Sequence, residues 1–303
     1  MSLVTQVSRK SMLIRPSGRS TDYISPSFGH GCLYNCSYCY MKRNKPTGLS
    51  IAKNHGDILT AISDHAWFAD VEKPNQTHEE YITYDISCNE DFALHAKYHE
   101  WERIFDFFIL HPRAMASFAT KYVNEKFLTF NPQGKVRIRF SMMPEEYRQQ
   151  LEPGTDHIID RLAAVRWFLN AGYEVHLNFS PVIVEEGFEG WGIKYENLFM
   201  DIKAMASMNG WADDRVKAEV IFLTHNVDKH YANLANNLPG ESLLWKPDIQ
   251  EKKISQYGGA NLRYKYALKA HYIEEFKKLH QEILPWNTIR YCFTFLLLLS
   301  KII

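Results

Sequence analysis

The stretch Phe28-Gly-His-Gly-Cys-Leu-Tyr-Asn-Cys-Ser-Tyr-Cys-Tyr40 is the part of the sequence that decides the fold and the chemistry. It places Cys32, Cys36 and Cys39 in a C-x3-C-x2-C spacing. Cysteine thiolates hold iron–sulfur clusters, and a cubane cluster takes four such ligands. Three ligands from one loop therefore leave one iron open to a small molecule. The spacing predicts a [4Fe-4S] cluster held by these three cysteines.

This spacing resembles that of the radical S-adenosyl-L-methionine (SAM) enzymes, in which the open iron chelates the amino acid end of SAM. Electron transfer to SAM then releases a 5'-deoxyadenosyl radical, so the cofactor carries the difficult chemistry. The alternatives are a structural cluster or a partial zinc knuckle with His30 as the fourth ligand. Zinc sites normally combine paired C-x2-C units or His pairs, and the sequence has no second C-x2-C pair. Gly29 and Gly31 let the chain approach a cluster closely.

Length and cysteine usage indicate a globular enzyme from a reducing compartment. The 303 residues suffice for one large α/β domain or two modest ones. Five cysteines, an odd number with three of them clustered, do not fit a disulfide framework and predict a cytoplasmic location. The N-terminus has no apolar signal segment. The apolar run after Cys292 is shorter than the about 20 residues that span a bilayer, so we expect no membrane contact. It predicts a terminal strand or an exposed, aggregation-prone end.

Charge is unevenly distributed along a chain whose net charge is zero. Residues 1–50 carry a net charge of +6 and residues 251–303 carry +5, so the residues between them carry −11. Two basic terminal segments are compatible with binding to a polyanion such as DNA. The alternative is that these charges only form solvated faces.

Strand-like and helix-like segments alternate along the chain, which predicts parallel βα units. Strands are predicted at 22–28, 80–87, 115–122, 136–141, 175–179, 220–223 and 288–293. Helices are predicted at 56–70, 101–110, 155–171 and 262–283, the third capped by Thr155. The fold class is therefore α/β, with a partial parallel (β/α)6-type barrel. Residues 1–225 form the predicted barrel core, and residues 226–303 form a C-terminal extension with a helix and a β-hairpin or terminal strand. Chemistry in such folds gathers at the carboxyl ends of the strands.

Beyond the cysteine loop, the chain resembles spore photoproduct lyase and its relatives outside spore formers, from about residue 10 to residue 294. The matching segments include Asp85-Ile-Ser-Cys-Asn-Glu-Asp91, Ser117-Phe-Ala-Thr-Lys-Tyr122, Arg137-Ile-Arg-Phe-Ser141 and Leu262-Arg-Tyr-Lys-Tyr266. The resemblance implies a lyase that splits the methylene-bridged thymine dimer of DNA, 5-thyminyl-5,6-dihydrothymine, back to two thymines. Its cofactors would be the [4Fe-4S] cluster and SAM. We expect DNA and an external electron donor of the flavodoxin or ferredoxin type as partners.

The resemblance also implies catalytic roles for three side chains. Cys88 would give a hydrogen atom to the thymine radical after the bridge breaks, which suits the weak S–H bond of a thiol; the alternative is a small buried hydrophobe. Tyr38 and Tyr40 would pass the radical from the sulfur of Cys88 back to 5'-deoxyadenosine and so regenerate the cofactor; their alternative role is packing.

The positions that match the family's cofactor-binding residues are Tyr38, Glu90, Asp91, Lys121 and Ser141. The family usually has a serine where this chain has Glu90, although a carboxylate can still accept hydrogen bonds from ribose hydroxyls or from the ammonium group of SAM. Lys121 can pair with the carboxylate of SAM.

A further group of residues interleaves basic and aromatic side chains near the C-terminus. Arginines bind phosphates and aromatic rings stack on exposed bases, and in the family this region supports the lesion while a hairpin enters the duplex. A dimer within a helix must be flipped out to react. The alternative is an amphipathic helix with a solvated face. The candidates for contact with DNA are Arg263, Tyr264, Lys265, Tyr266, Arg290 and Tyr291.

Two other functions remain open at this point. One is a radical SAM enzyme that rearranges or modifies a (hyper)modified thymine base in DNA. The other is a non-catalytic, metal-containing protein that binds nucleic acid.

Overall fold

The computed structural model describes residues 3–18, 20–69, 72–185, 187–213, 215–254 and 260–292. The strands β1 to β14 are, in order, Val4–Val7, Arg15–Pro16, Tyr23–Ile24, Gly29–Gly31, Leu49–Ala52, Ile82–Asp85, Ala114–Thr120, Val136–Ser141, Glu174–Val182, Lys217–Phe222, Thr224–Asn226, Gln250–Ile254, Ala260–Tyr264 and Ile289–Cys292. The helices α1 to α10 are Met41–Asn44, His55–Phe68, Phe92–His95, Trp101–Leu110, Glu145–Leu151, Ile158–Asn170, Phe188–Asn209, Val227–Ala235, Glu241–Leu244 and Tyr266–Ile283.

The main sheet has eight strands in the order β14-β10-β9-β8-β7-β6-β3-β2. All neighbours are parallel except β2, which runs antiparallel to β3. The sheet curls into a half-barrel, so the predicted partial parallel barrel is confirmed. A sheet β1-β5-β4 carries the start of the cysteine loop, and an antiparallel sheet β11-β13-β12 belongs to the C-terminal part.

Strand β8 shows how the sequence pattern specifies the two faces of the half-barrel. Val136, Ile138 and Phe140 belong to the apolar core, whereas the alternate side chains are polar, as the period of two requires. Arg139 pairs with Asp85 of β6 at 2.9 Å and with Glu219 of β10 at 3.6 Å. Because these partners lie on strands further around the sheet, the polar side chains face the barrel interior.

The terminal strand β14 closes the described sheet at the edge beyond β10 and contacts the N-terminal segment through side chains. Arg290 donates a hydrogen bond of 2.9 Å to the carbonyl of Ser20 and forms an ion pair with buried Glu219. The hydroxyl of Tyr291 donates to the carbonyl of Gly18. These bonds tie the two ends of the open barrel to each other.

Several predicted elements differ from the observed ones. The helix predicted at 262–283 is confirmed from Tyr266 to Ile283, but its predicted start was wrong, because β13 occupies Ala260–Tyr264 and pairs with β11 and β12 before α10 begins. Thr155 does not cap α6; His157 is its N-cap, and the Thr155 hydroxyl donates to the carbonyl of Glu152. The 22-residue helix Phe188–Asn209 was not predicted. Its apolar residues Trp191, Tyr195, Leu198, Phe199 and Ile202 are buried beneath the sheet.

The C-terminal part is joined to the barrel core. Strand β14 pairs with β10 of the core, and the proposed boundary after residue 225 falls within β11. The division into two domains stays a prediction. The expected hairpin is present as the antiparallel pair β12 and β13. The apolar tail at 293–303 lies outside the described residues. Among the described helices, none is both long and apolar enough to cross a bilayer.

Candidate active site

The cysteine loop begins directly after β4 and ends where α1 starts. Gly31 has a φ of +108°, and a Cβ atom there would lie 2.4 Å from the carbonyl oxygen of Gly48, so only glycine fits. The amide of Cys39 donates to the carbonyl of Cys36 at 3.1 Å, which forms a tight turn. This backbone geometry thus places all three cysteines in one tight loop.

The three thiols offer three metal ligands from one loop. Cys36 is buried, and Cys32 and Cys39 are half-buried; none forms a disulfide. Each cysteine of a cubane binds a different iron, so three such ligands leave one iron open. The cluster stays a prediction, with the zinc knuckle as its alternative.

Burial keeps the thiols of Cys32 and Cys36 in the neutral form unless a cation lies beside them. It raises the pKa of Cys32 to about 12, with a further contribution from the charge of Asp91. Burial also raises the pKa of Cys36 well above its usual value. Buried thiols ionise only when positive charge compensates the thiolate, and cluster iron supplies such charge.

The rear of the loop is anchored by hydrogen bonds from distant segments. The amide of Ser37 donates to the carbonyl of Leu151 at 2.9 Å, and its carbonyl accepts from the side-chain amide of Asn233 at 2.9 Å. On the other side, the amide of Leu33 donates to Nε2 of His95 at 3.3 Å. These contacts hold the loop at a fixed depth in the half-barrel.

Cys88 lies just beyond the carboxyl end of β6 and contacts Tyr40. The Tyr40 hydroxyl is 3.7 Å from the Cys88 Sγ atom and donates to the Cys88 carbonyl. It also lies 3.4 Å from Oδ1 of Asn89. The structure therefore brings two of the predicted catalytic residues, 48 positions apart in sequence, into contact.

Tyr38 belongs to a second, buried cluster. Its hydroxyl donates to Glu152, a carboxylate with no exposed surface. The other carboxylate oxygen accepts a hydrogen bond of 3.0 Å from Arg161, and Lys121 Nζ lies 3.9 Å from the first. Lys121 also donates to the Ser141 hydroxyl at 3.5 Å and lies 5.7 Å from the centroid of the Tyr38 ring. Three of the predicted cofactor-binding residues are thus adjacent.

Asp91 and Glu90 make contacts within the protein. Asp91 is the N-cap of α3; its carboxylate accepts hydrogen bonds from the amide of Leu94 at 3.2 Å, the amide of Lys121 at 2.9 Å and the hydroxyl of Thr120 at 2.7 Å. It therefore joins α3 to the end of β7, and its predicted contact with SAM stays a prediction.

The carboxylate of Glu90 is enclosed by two histidines. Its Oε2 atom lies 3.0 Å from Nδ1 of His95 and 2.9 Å from Nε2 of His99, and all three side chains have no exposed surface. Because Nε2 of His95 accepts from the amide of Leu33, its Nδ1 carries the proton that Glu90 accepts. Burial alone would raise the pKa of Glu90, but the two histidines lower it to about 2. Glu90 thus supports the cysteine loop from behind.

The predicted DNA-contacting residues are divided between the surface and the interior. Arg263 on β13 pairs across the hairpin with Glu251 at 2.7 Å, and Lys265 and Tyr266 are exposed where α10 begins. The ring of Tyr264 is buried, and its hydroxyl accepts from the amide of Val184 at 2.8 Å. Arg290 and Tyr291 make the contacts between barrel ends described above. Of the six candidates, Arg263, Lys265 and Tyr266 therefore present side chains at the hairpin surface.

Sequence reasoning missed Glu152, Arg161, His95 and His99. The two histidines follow the Ser-Cys segment at a spacing of four, which is a weak helical signal. Glu152 and Arg161 have no motif at all, since only the packing of α5 and α6 against the cysteine loop brings them to Tyr38.

Comparison with known proteins agrees with this arrangement. A half-barrel with an open three-cysteine loop at the carboxyl ends of its strands defines a class, the radical SAM enzymes. Within that class, the sequence model described as "Spore photoproduct lyase" matches residues 1–294, so the chain belongs to the spore photoproduct lyase family.

The similarity to individual relatives is distant but extensive. Spore photoproduct lyase of Bacillus subtilis is 26% identical over 258 residues, which cover 82% of this chain and 70% of that protein. The enzyme of a Geobacillus species is 26% identical over 199 residues, 64% of this chain and 54% of that one. A solved spore photoproduct lyase in complex with dinucleoside spore photoproduct has a TM-score of 0.81 at 20% identity, covering 95% of this chain and 82% of that one. A mutant with bound AdoMet and the same ligand has a TM-score of 0.82 at 20% identity, covering 96% and 82%.

Proposed function

We propose that this chain is a DNA repair lyase that splits the methylene-bridged thymine dimer back to two thymines. The contact between the Tyr40 hydroxyl and the Cys88 thiol, beside the cysteine loop, is the single observation that carries this proposal. A hydrogen donor next to a radical source is needed to quench a substrate radical before side reactions occur. The relatives' complexes with dinucleoside spore photoproduct support the choice of substrate.

In this proposal the cofactors are held by groups already close together. Cys32, Cys36 and Cys39 hold the [4Fe-4S] cluster, and Lys121 and Ser141 bind the SAM carboxylate. When bound, these groups supply the electron transfer and carbon radical that start the reaction. Lys121 stays charged in this site, because burial would lower the pKa of its ammonium group but the nearby negative charges, Glu152 first, more than offset this and raise it.

The hydrogen transfers are assigned to the chain's own side chains. Cys88 gives the hydrogen atom of its S–H bond to the carbon radical of the product thymine, and a C–H bond forms. The sulfur radical left on Cys88 takes a hydrogen atom from the O–H bond of Tyr40. Tyr38, held by Glu152, would complete the relay: the tyrosine O–H bond would be restored by a hydrogen atom from the 5'-methyl group of 5'-deoxyadenosine, which would regenerate the cofactor. Each step breaks one X–H bond and forms one, so no further oxidant is required.

DNA contact is assigned to the hairpin surface. Arg263 and Lys265 contact phosphates, and Tyr266 stacks on a base next to the flipped lesion. The basic hairpin residues Lys252 and Lys253 lie on the paired strand β12. The flavodoxin or ferredoxin that supplies the electron, and a cytoplasmic location, belong to the same proposal.

The test is anaerobic turnover of a lesion-containing oligonucleotide with reductant and SAM, followed by mass spectrometry of the DNA. In the wild type, repair gives two thymines, and because the cofactor is regenerated, less than one 5'-deoxyadenosine is formed per dimer repaired. Cys32→Ala abolishes cofactor cleavage and serves as the negative control. Formation of 5'-deoxyadenosine with a modified thymine substrate, and an unchanged dimer, would instead establish the rival thymine-modifying activity.

A further inference from the structure

Three donor groups converge behind the cysteine loop, outside the site described above. His225 lies on β11, His230 on α8, and Glu241 is the first residue of α9. The side-chain atoms that could bind a metal, two imidazole nitrogens and one carboxylate oxygen, all lie within 4.8 Å of one another. Among the described residues, no other three His, Cys, Asp or Glu side chains come this close together. Nε2 of His225 is 2.9 Å and Nδ1 of His230 is 2.6 Å from the same oxygen, Oε1 of Glu241. All three are 9% exposed or less.

Neighbouring groups hold these side chains in place. The ring of His230 stacks on Trp245 with centroids 3.7 Å apart and an angle of 12° between the planes. The second carboxylate oxygen of Glu241 accepts from the side-chain amide of Asn233, which also donates to the carbonyl of Ser37 in the cysteine loop. His225 is fixed by the pairing of β11 with β13. The three ligand atoms are therefore positioned before any ion arrives.

We propose that His225, His230 and Glu241 bind a structural zinc ion, separate from the iron–sulfur site. Two imidazole nitrogens and one carboxylate oxygen form the protein ligand set of known zinc sites that keep water in the fourth position. Bonds of about 2.0–2.1 Å place tetrahedral ligands roughly 3.3 Å apart, so the His–Glu contacts of 2.9 and 2.6 Å need to lengthen by about 0.4 and about 0.7 Å. The two imidazole nitrogens lie within 4.8 Å of each other. Zn²⁺ is favoured over Mg²⁺ or Ca²⁺ because imidazole suits it better than it suits hard cations.

The location gives the ion a structural purpose. The surrounding segment consists of short elements, since β11, α8 and α9 have 3, 9 and 4 residues. Small units with little core of their own commonly depend on a metal. A zinc ion here would join three of these elements and, through Asn233, fix the rear of the cysteine loop.

The competing arrangement is a metal-free triad in which both imidazoles donate to the carboxylate. Zinc binding moves the proton of His225 to Nδ1, which is buried and has no hydrogen-bond partner among the described residues. The two arrangements therefore differ in composition and in tautomer, and metal analysis distinguishes them.

The test begins with elemental analysis of the full chain after exposure to zinc and a competing chelator. We expect about one zinc ion per chain in the wild type and in a variant with Cys32, Cys36 and Cys39 all replaced by serine. Glu241→Gln should reduce the zinc content at least tenfold. His157→Gln, which removes an exposed His–Glu pair of 2.8 Å, should retain it. Loss of zinc in the cysteine variant together with retention in Glu241→Gln would overturn the proposal.

Cobalt substitution in the wild-type chain provides a second measurement, which does not depend on whether variants fold. The proposed ligands predict visible bands of tetrahedral Co²⁺ without the near-ultraviolet charge transfer that thiolates give. A spectrum with thiolate charge transfer only, or no bound cobalt, contradicts the site. Neither experiment involves DNA or SAM, so failure here is distinguishable from failure of the proposed repair activity.

Discussion

The hydroxyl of Tyr40 lies 3.7 Å from Sγ of Cys88, although 48 residues separate them in the sequence. The fold makes this contact because the cysteine loop and the end of β6 meet at the same edge of the half-barrel. The amide of Gly31, next to the loop, donates to the carbonyl of Asn89, next to Cys88, at 3.1 Å. Backbone pairing, rather than the two side chains alone, therefore sets the distance.

Replacing the thiol tests its role as hydrogen donor. Cys88→Ala should leave the formation of 5'-deoxyadenosine intact and lower the yield of restored thymines at least about tenfold, because the substrate radical is then quenched by other donors. Chromatography with mass spectrometry of both DNA and nucleoside products measures the two yields. Clean repair by this variant would remove Cys88 from the mechanism.

Removing only the hydroxyl of Tyr40 tests the relay. Tyr40→Phe should still repair the lesion but consume more SAM per repair, because the sulfur radical on Cys88 loses its hydrogen source. The ratio of 5'-deoxyadenosine formed to dimers repaired measures this uncoupling. Tyr231→Phe makes the same change on an exposed tyrosine of α8 and should leave the ratio unaltered. Equal ratios in both variants would exclude Tyr40 from the relay.

The buried carboxylate of Glu152 should be important for stability as well as for catalysis. Glu152→Gln leaves Arg161, which has no exposed surface, without its charged partner, at a cost of about 3 kcal/mol in the free energy of unfolding. Denaturant titration measures this loss. Glu146→Gln, an exposed position on the same helix, is the matched control. A loss equal to that of the control would mean that the Arg161 pair contributes nothing to stability.

The histidine-bound carboxylate of Glu90 predicts a pH dependence. A pKa lowered from 4.5 to about 2 stabilises the fold above the ordinary pKa, and this contribution disappears as the pH falls from about 5 towards 2. The shift corresponds to about 3 kcal/mol. The free energy of unfolding should therefore fall more steeply with acid in the wild type than in Glu90→Gln. Parallel curves over this range would show that the two histidines do not depress the Glu90 pKa.

Lys265 and Arg290 should affect DNA binding in different ways. Lys265 is exposed beside the hairpin, so Lys265→Ala should weaken DNA binding and reduce the salt dependence by about one charge, without changing stability. Arg290→Ala should destabilise the fold, because Glu219 is left buried without this partner. Fluorescence anisotropy at several salt concentrations measures binding, with Lys278→Ala on the far end of α10 as the control. Unaltered binding by Lys265→Ala would place the DNA surface elsewhere.

Local sequence signals predicted much of the barrel. Helix Trp101–Leu110 was predicted with its observed bounds, and the alternation in Val136–Ser141 identified β8. The start of the helix predicted at 262–283 was wrong because Leu262 and Tyr266 are spaced like one helical face, whereas the pairing of Ala260–Tyr264 with β11 and β12 is non-local. Tertiary pairing outweighs local propensity in such segments.

The residues of the candidate site also fall into two groups, those that the sequence identified and those that only the fold brings to the site. Cys32, Cys36 and Cys39 were identified from their spacing, whereas Cys88 was identified from the resemblance to the family; their roles stay predictions. The residues that hydrogen-bond to the cysteine loop, such as Glu152 and His95, come from other segments of the chain and have no recognisable local sequence pattern. Arg290 and Tyr264 are less accessible than the other DNA-contact candidates, since Arg290 is half-buried and pairs with Glu219 and Tyr264 is buried, and their contact with DNA stays a prediction.

The most direct test of the central claim is repair of the dimer in D2O, where the Cys88 thiol exchanges its hydrogen for solvent deuterium. If Cys88 quenches the substrate radical, mass spectrometry should find a solvent-derived deuterium bound to carbon in the restored thymine pair, and Cys88→Ala should abolish that product. Restored thymines without solvent deuterium in the wild type would contradict the account.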